Sequence, residues 1–147
     1  MLFTHEDQFG TKAKNFNDFC TVLRATLAGN TFFLTADATK GELTAMINEL
    51  PASVFKSDFC QMGHHGADNG YKKIYELVDA DYYIWNNSEK DFIRDTEVNK
   101  YDYCLYVLEH AEEIYLADTY CYTLELPYTA ESAIKWNPEF EKPSDKK

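Results

Sequence analysis

Residues 58–70 read DFCQMGHHGADNG. Asp58 to Met62 is a short, mostly apolar run and reads as a strand. It leads directly into His64 and His65, two of the chain's four histidines, with Gly63 and Gly66 on either side. A histidine pair in such a place is either a solvated turn or a set of ligands. The elements around it bear on the choice.

Towards the N-terminus, residues 31–37 (TFFLTAD) form a more apolar strand that ends at Asp37. A strand over residues 19–28 precedes it, and Gly29-Asn30 gives a two-residue turn signal, so the pair reads as a hairpin. Thr39 and Glu42 have capping-box form, a hydroxyl at the N-cap and a glutamate three residues on. Leu43, Met46, Ile47 and Leu50 then recur at the spacing of one helix face, and Pro51 stops the helix.

Towards the C-terminus, Asp68 or Asn69 is placed to cap a second helix with Tyr71, Ile74, Tyr75 and Val78 on its apolar face. Residues 81–85 read as a strand ending at Asn86-Asn87-Ser88. A third helix is expected from about Glu97 to His110, with Val98, Tyr101, Leu105 and Leu108 on one face. Residues 113–116 and 120–126 read as closing strands. In the second, Tyr120, Tyr122, Leu124 and Leu126 alternate with Cys121, Thr123 and Glu125, which predicts one buried face. The tyrosines of this region are read as core and strand-face residues. From Pro127 on, three prolines and the ending KPSDKK mark residues 127–147 as a peripheral tail, in which Trp136 is a candidate anchor. Residues 1–126 are read as a single partial domain.

The order β-β-α-β-α-β-α-β-β predicts an α/β layer architecture. It places Asp37-Ala38, His64-His65-Gly66 and Asn86-Asn87-Ser88 at the carboxyl ends of strands, where α/β sheets bind ligands. Taken alone, Asp37 is a helix cap in competition with Thr39. Taken with the histidines it offers oxygen and imidazole donors on one side of a sheet. That set suits Zn²⁺, Mn²⁺ or Fe²⁺, and a bridging carboxylate suits two metals about 3.5–4 Å apart. Gly63 and Gly66 give the backbone freedom to aim the imidazoles.

Composition narrows the partners. Fourteen basic against 25 acidic residues give a formal net charge of −11. A non-specific nucleic-acid coat, which relies on Lys and Arg to release counterions, is disfavoured. A phosphodiester substrate is still compatible, because a metal ion supplies positive charge locally. No stretch approaches the roughly 20 apolar residues that span a membrane. The start, MLFTHEDQFG, shows neither a basic n-region nor an apolar core, so no secretory signal is read there. Cys20, Cys60, Cys104 and Cys121 are widely spaced in apolar contexts and read as buried free thiols, which fits a reducing, cytoplasmic setting.

The run FFLTADAT followed by FKSDFCQMGHHGADNG resembles the second half of a metallo-β-lactamase-fold domain, most closely the competence-protein (ComEC-like) hydrolases. In that subgroup a strand ends in an "LTGDA"-like motif, a helix follows, and a further strand ends in "HHG". Asn17-Asp18-Phe19-Cys20 resembles the subgroup's "N-x-x-S" segment, with Cys20 where serine is usual. Residues 113–119 with Tyr122-Thr123-Leu124 resemble its closing β hairpin, without the usual glycine. About residues 15–126 are covered. The resemblance implies a four-layer αββα fold and a hydrolase holding one or two metals, zinc above all. By position Asp37 is then the bridging carboxylate, His64 the late histidine ligand, and His65 its auxiliary neighbour. The bound metals would lower the pKa of a bridging water to about 7 and yield a hydroxide nucleophile.

The family's H-x-H-x-D-H motif is absent. Its nearest echo, Thr4-His5-Glu6-Asp7, has one histidine and lies too close to Asn17. His110, in the charged end of a helix, is read as solvent-facing. The chain therefore reads as half of an αββα sandwich (a mixed sheet with flanking helices), short of the three protein ligands a catalytic zinc takes. Three explanations stand: a piece of a longer protein, a shortened non-catalytic relative, or a site completed by another chain. The exposed sheet face favours a homodimer or the missing N-terminal half as partner. Two functions follow from this. One is the C-terminal part of a metal-dependent phosphodiester or ester hydrolase, and the other is a non-catalytic binding module.

Overall fold

The computed structural model describes residue 17 and residues 20–68, 70–118, 120–129 and 131–136. His5, Asp18, Phe19, Asn69, the side chain of Trp136 and the lysine-rich end lie outside the described residues.

Strands β1 (Leu23–Leu27) and β2 (Asn30–Leu34) pair antiparallel, with Leu27 opposite Asn30. The turn is therefore Ala28-Gly29, both at positive φ (48° and 90°), and not Gly29-Asn30. A two-residue turn of this hand matches the twist of paired strands. Asn30 belongs to the strand, and its Oδ1 accepts a hydrogen bond from the backbone N–H of Tyr128 at 2.7 Å. That long-range contact is invisible to a local pattern.

Strands β3 (Phe59–Gln61), β4 (Tyr82–Trp85) and β5 (Glu113–Leu116) then add in order, each parallel to the last, giving a mixed sheet β1-β2-β3-β4-β5. The crossovers carry α1 (Lys40–Glu49), α2 (Lys72–Val78), and the pair α3 (Glu89–Ile93) and α4 (Asp102–His110). Strands that add in one direction through right-handed crossovers put every crossover helix on the same face. The core agrees with this. Leu43 and Met46 of α1, Ile74, Tyr75 and Val78 of α2, and Tyr103, Cys104 and Val107 of α4 form one buried cluster with Phe33, Cys60, Tyr83 and Trp85 of the sheet. The fold is α/β, as the alternating order predicts.

The alternate residues of the strands face the other way and are aromatic. Phe32 stacks on Phe59 with centroids 4.6 Å apart, and Phe59 lies 4.9 Å from Tyr82. Tyr128 sits edge-on to Phe59 at 5.0 Å. Tyr115, buried on the same face, meets Tyr128 and Tyr122.

Local chemistry explains α1. Thr39 is its N-cap and accepts from the Glu42 N–H at 3.4 Å, as the capping box predicts. Helix α2 departs from expectation. Tyr71 stands at its N-cap and no side chain caps it, so Asp68 does not have that role.

The expected single helix over residues 97–110 is also corrected. A π turn (Arg94–Val98) ends α3, the chain breaks at Lys100 (φ 52°), and α4 starts afresh at Asp102. The break rotates the buried face onto Tyr103, Cys104 and Val107, and leaves Val98, Leu105 and Leu108 exposed. The closing strands differ too. Strand β6 (Cys121–Leu124) pairs with β7 (Ala133–Trp136) in a separate two-stranded ribbon and not with β5. Tyr120 is exposed, and the alternate residues Tyr122 and Leu124 are only half-buried. Cys60 and Cys104 are buried free thiols, whereas Cys20 and Cys121 are half-buried. Among the described residues, no helix is long and apolar enough to cross a membrane.

One side chain locks β2 to the start of β3. Asp58 Oδ2 accepts from the Thr31 N–H (2.7 Å) and the Thr31 hydroxyl (3.0 Å), while the Asp58 N–H donates back to Thr31 Oγ1 (2.9 Å). Asp58→Ala is expected to cost about 1–3 kcal/mol in urea unfolding, because it strands two half-buried donors.

Candidate functional site

The carboxyl ends of β2 and β3 are laced together by short-range contacts. The His64 N–H donates to the Ala36 carbonyl at 2.9 Å, the Ala36 N–H donates to Gln61 Oε1 at 3.2 Å, and the Thr35 hydroxyl donates to the Gln61 carbonyl at 3.3 Å. Both strands leave the sheet through the left-handed region: Ala36 at φ 49°, then His64 at 47°, His65 at 60° and Gly66 at 82°. Each non-glycine residue held there costs about 1–3 kcal/mol and persists only where its surroundings over-determine it.

Aromatic side chains from the helices and β4 do so here. Tyr75 OH accepts from the Gly63 N–H at 2.9 Å. Trp85 Nε1–H and Asn87 Nδ2–H both donate to the His65 carbonyl at 2.9 Å. The Tyr103 hydroxyl donates to the Gly66 carbonyl at 3.0 Å and also contacts the Ala67 carbonyl. The HHG loop is thus a fixed object, contrary to the reading of a merely solvated turn.

Its two histidines point apart, with ring centroids 6.4 Å from each other. His65 turns to Asp37, with Nε2 3.6 Å from Oδ1. Its Nδ1 lies 3.0 Å from the Asn86 carbonyl and 2.9 Å from the Asn86 amide nitrogen, so Asn86 holds that side of the ring. His64 turns to Asp68, with Nδ1 3.9 Å from Oδ1 and buried without a hydrogen bond.

Cys20 adjoins the same edge, beside the Asp37 backbone and Glu42. Burial pushes its thiol up, an Asp37 backbone hydrogen bond partly offsets this, and the charges of Glu42 and Asp37 raise it further. A thiol so placed is a poor nucleophile at neutral pH. His110 stacks on Tyr106 at 4.1 Å at the exposed end of α4, with Nδ1 2.8 Å from the Tyr106 carbonyl, as its solvent-facing reading requires.

The Asp37–His65 separation is too long for a direct hydrogen bond. It is close to the ~3.3 Å between two donors that sit about 2.0–2.1 Å from one tetrahedral ion. The fit ends at two donors. Among the described residues no group of three His, Cys, Asp or Glu side chains is placed to hold a metal. The residues therefore fit half of a divalent site and not a closed catalytic one. The parts that sequence reasoning missed are the supports: Trp85, Tyr75, Tyr103 and the Asn86 carbonyl. Only Asn86-Asn87-Ser88 carried a signal, as a polar loop at a strand end.

The chain matches no family model, no curated protein and no solved structure.

Proposed function

We propose that this chain carries half of a divalent-metal site of hydrolase type, with Asp37 and His65 as its two donors. The observation that carries the reading is the convergence of Asp37 and His65 on a backbone strained into place and fastened by Tyr75, Trp85 and Tyr103. Strain retained at the carboxyl ends of parallel strands is characteristic of ligand and catalytic sites. The motif resemblance to metallo-β-lactamase-fold hydrolases supports the same edge of the sheet, with Zn the first candidate metal and phosphodiester or ester bonds as substrate class. When bound, such a metal makes hydroxide available near neutral pH. Within this chain, Asn86 holds the Nδ1 side of the His65 ring, and the rigid loop keeps the imidazole against Asp37. Turnover would require further ligands from a missing N-terminal half or from a second copy of the chain in a homodimer.

A second reading has its own support. With two donors among the described residues, the same unit serves as a non-catalytic module that associates through its surfaces.

Calorimetric titration of Zn²⁺ and Mn²⁺ tests the first reading. The wild type is expected to bind one ion per chain, and His65→Ala to weaken it by about tenfold or more, as when a metal site loses support for a ligand. His64→Ala should leave binding near the wild type. Absence of saturable binding to the wild type, or equal binding by His65→Ala, would leave the non-catalytic module standing.

A further inference from the structure

Away from the histidine loop, a cleft of about 150 Å³ opens between the start of α3, the end of β5 and the β6–β7 ribbon. Its walls are Glu89, Leu116, Asp118, Tyr120, Tyr122 and Lys135. The composition is that of an aromatic cage: two tyrosine rings, two carboxylates and one aliphatic wall. The Lys135 ammonium already lies over the Tyr120 ring, 3.8 Å from its centroid, and 5.9 Å from that of Tyr122. Both distances are inside the roughly 6 Å range of cation–π attraction.

The cage is built and not incidental. Tyr122 packs at 5.2 Å against Tyr115, which is buried in the aromatic face of the sheet. Asp118 is held in place as its Oδ2 accepts from the Glu89 N–H at 3.0 Å. Among the described residues, Lys135 forms no ion pair with either carboxylate, so their charge is left to act on the cleft. Lys135 reaches in from β7, where it pairs opposite Tyr122.

We propose that this cleft is a binding site for small alkylated ammonium ions, and that Lys135 is an internal plug which such an ion displaces. A volume well below the roughly 300 Å³ of a drug-sized site suits a compact headgroup. Methylated ammonium ions are preferred by aromatic cages because they surrender little hydration on entering. The net charge of −11 raises the local concentration of any cation without distinguishing among them. Selectivity therefore has to come from Tyr120 and Tyr122.

The test follows the N-methyl proton resonance of choline and of tetramethylammonium, titrated at constant ionic strength against the full chain and its variants. Ring currents from the two tyrosines are expected to move the signal upfield and saturably. Lys135→Gln, which keeps most of the side-chain stem, is expected to tighten binding by about five- to tenfold, the size of one displaced cation–π contact. Adding Tyr120→Leu to Lys135→Gln should abolish the shift. The neutral isostere of choline, 3,3-dimethylbutan-1-ol, should produce none. The proposal is overturned if Lys135→Gln, folded by its circular dichroism, shows no saturable shift. It is equally overturned if the neutral isostere binds as well as choline, or if Tyr120→Leu changes nothing. Lys135→Ala, read in the same way, decides the matter if the glutamine variant does not fold.

Discussion

Gly66→Ala is expected to destabilise the fold by about 2–6 kcal/mol, the sum of a left-handed backbone penalty and forced overpacking, each about 1–3 kcal/mol. Gly66 sits at φ 82°, where a side chain is disfavoured whatever the space around it. There is no space either. A Cβ at this position would lie 2.4 Å from Trp85 Nε1 and 2.6 Å from Cε2 and Cζ2 of the same ring. Trp85 is fully buried and its Nε1–H is already committed to the His65 carbonyl, so the ring has nowhere to retreat. Urea unfolding of the variant should show the loss in its midpoint. A double-mutant cycle separates the two causes. In a Trp85→Phe background a smaller ring meets the new methyl, so Gly66→Ala should cost less there, with the φ penalty as the part that persists. Additive costs would show that the clash is not what Gly66 avoids. The same loss should weaken metal binding, since the ring that blocks the methyl also anchors His65.

The parts of this architecture that were legible in the sequence are those fixed by neighbours. Thr39 caps α1 because the group it satisfies is three residues away, and Leu43 and Met46 face the core because one continuous helix carries them. The β3–HHG junction and the placing of Asp37 at the end of β2 followed from short apolar runs bounded by turn residues. What failed was set at long range. Val98, Tyr101, Leu105 and Leu108 have helical spacing, but the periodicity holds only if the helix is unbroken. A π turn and a left-handed Lys100 intervene, and burial passes to Tyr103, Cys104 and Val107. The gain from that rotation is tertiary: the Tyr103 hydroxyl reaches the Gly66 carbonyl from 37 residues away. Burial of Cys104 beside it pushes the thiol up to about 12. The site divides the same way. Sequence placed Asp37 and both histidines on one edge, while the choice of His65 as the one facing Asp37 depends on Asn86, a strand away.

Trp85→Ala is expected to cost about 3–5 kcal/mol, from the lost burial and the cavity left behind. Trp85 is among the largest fully buried side chains and is the last residue of β4. Its ring meets Phe92 of α3 edge-on at 4.7 Å, fills the space beneath Gly66, and donates to the His65 carbonyl. Removing it withdraws packing from the helical layer and one of the two donors that hold the His65 carbonyl. Asn87 keeps the other, so the loop should loosen without being released. Two measurements distinguish this from a general loss of stability. In Trp85→Phe most of the burial is retained and the indole donor is lost. That variant should lose less stability than Trp85→Ala, yet exchange the amide protons of His64 and Ala67 faster than the wild type, because the left-handed backbone has lost a support. Equal protection in Trp85→Phe and wild type would assign the loop's conformation to Tyr75 and Tyr103 instead. Metal titration of Trp85→Phe completes the argument: a loop held for the sake of its imidazole should lose affinity in step with its protection.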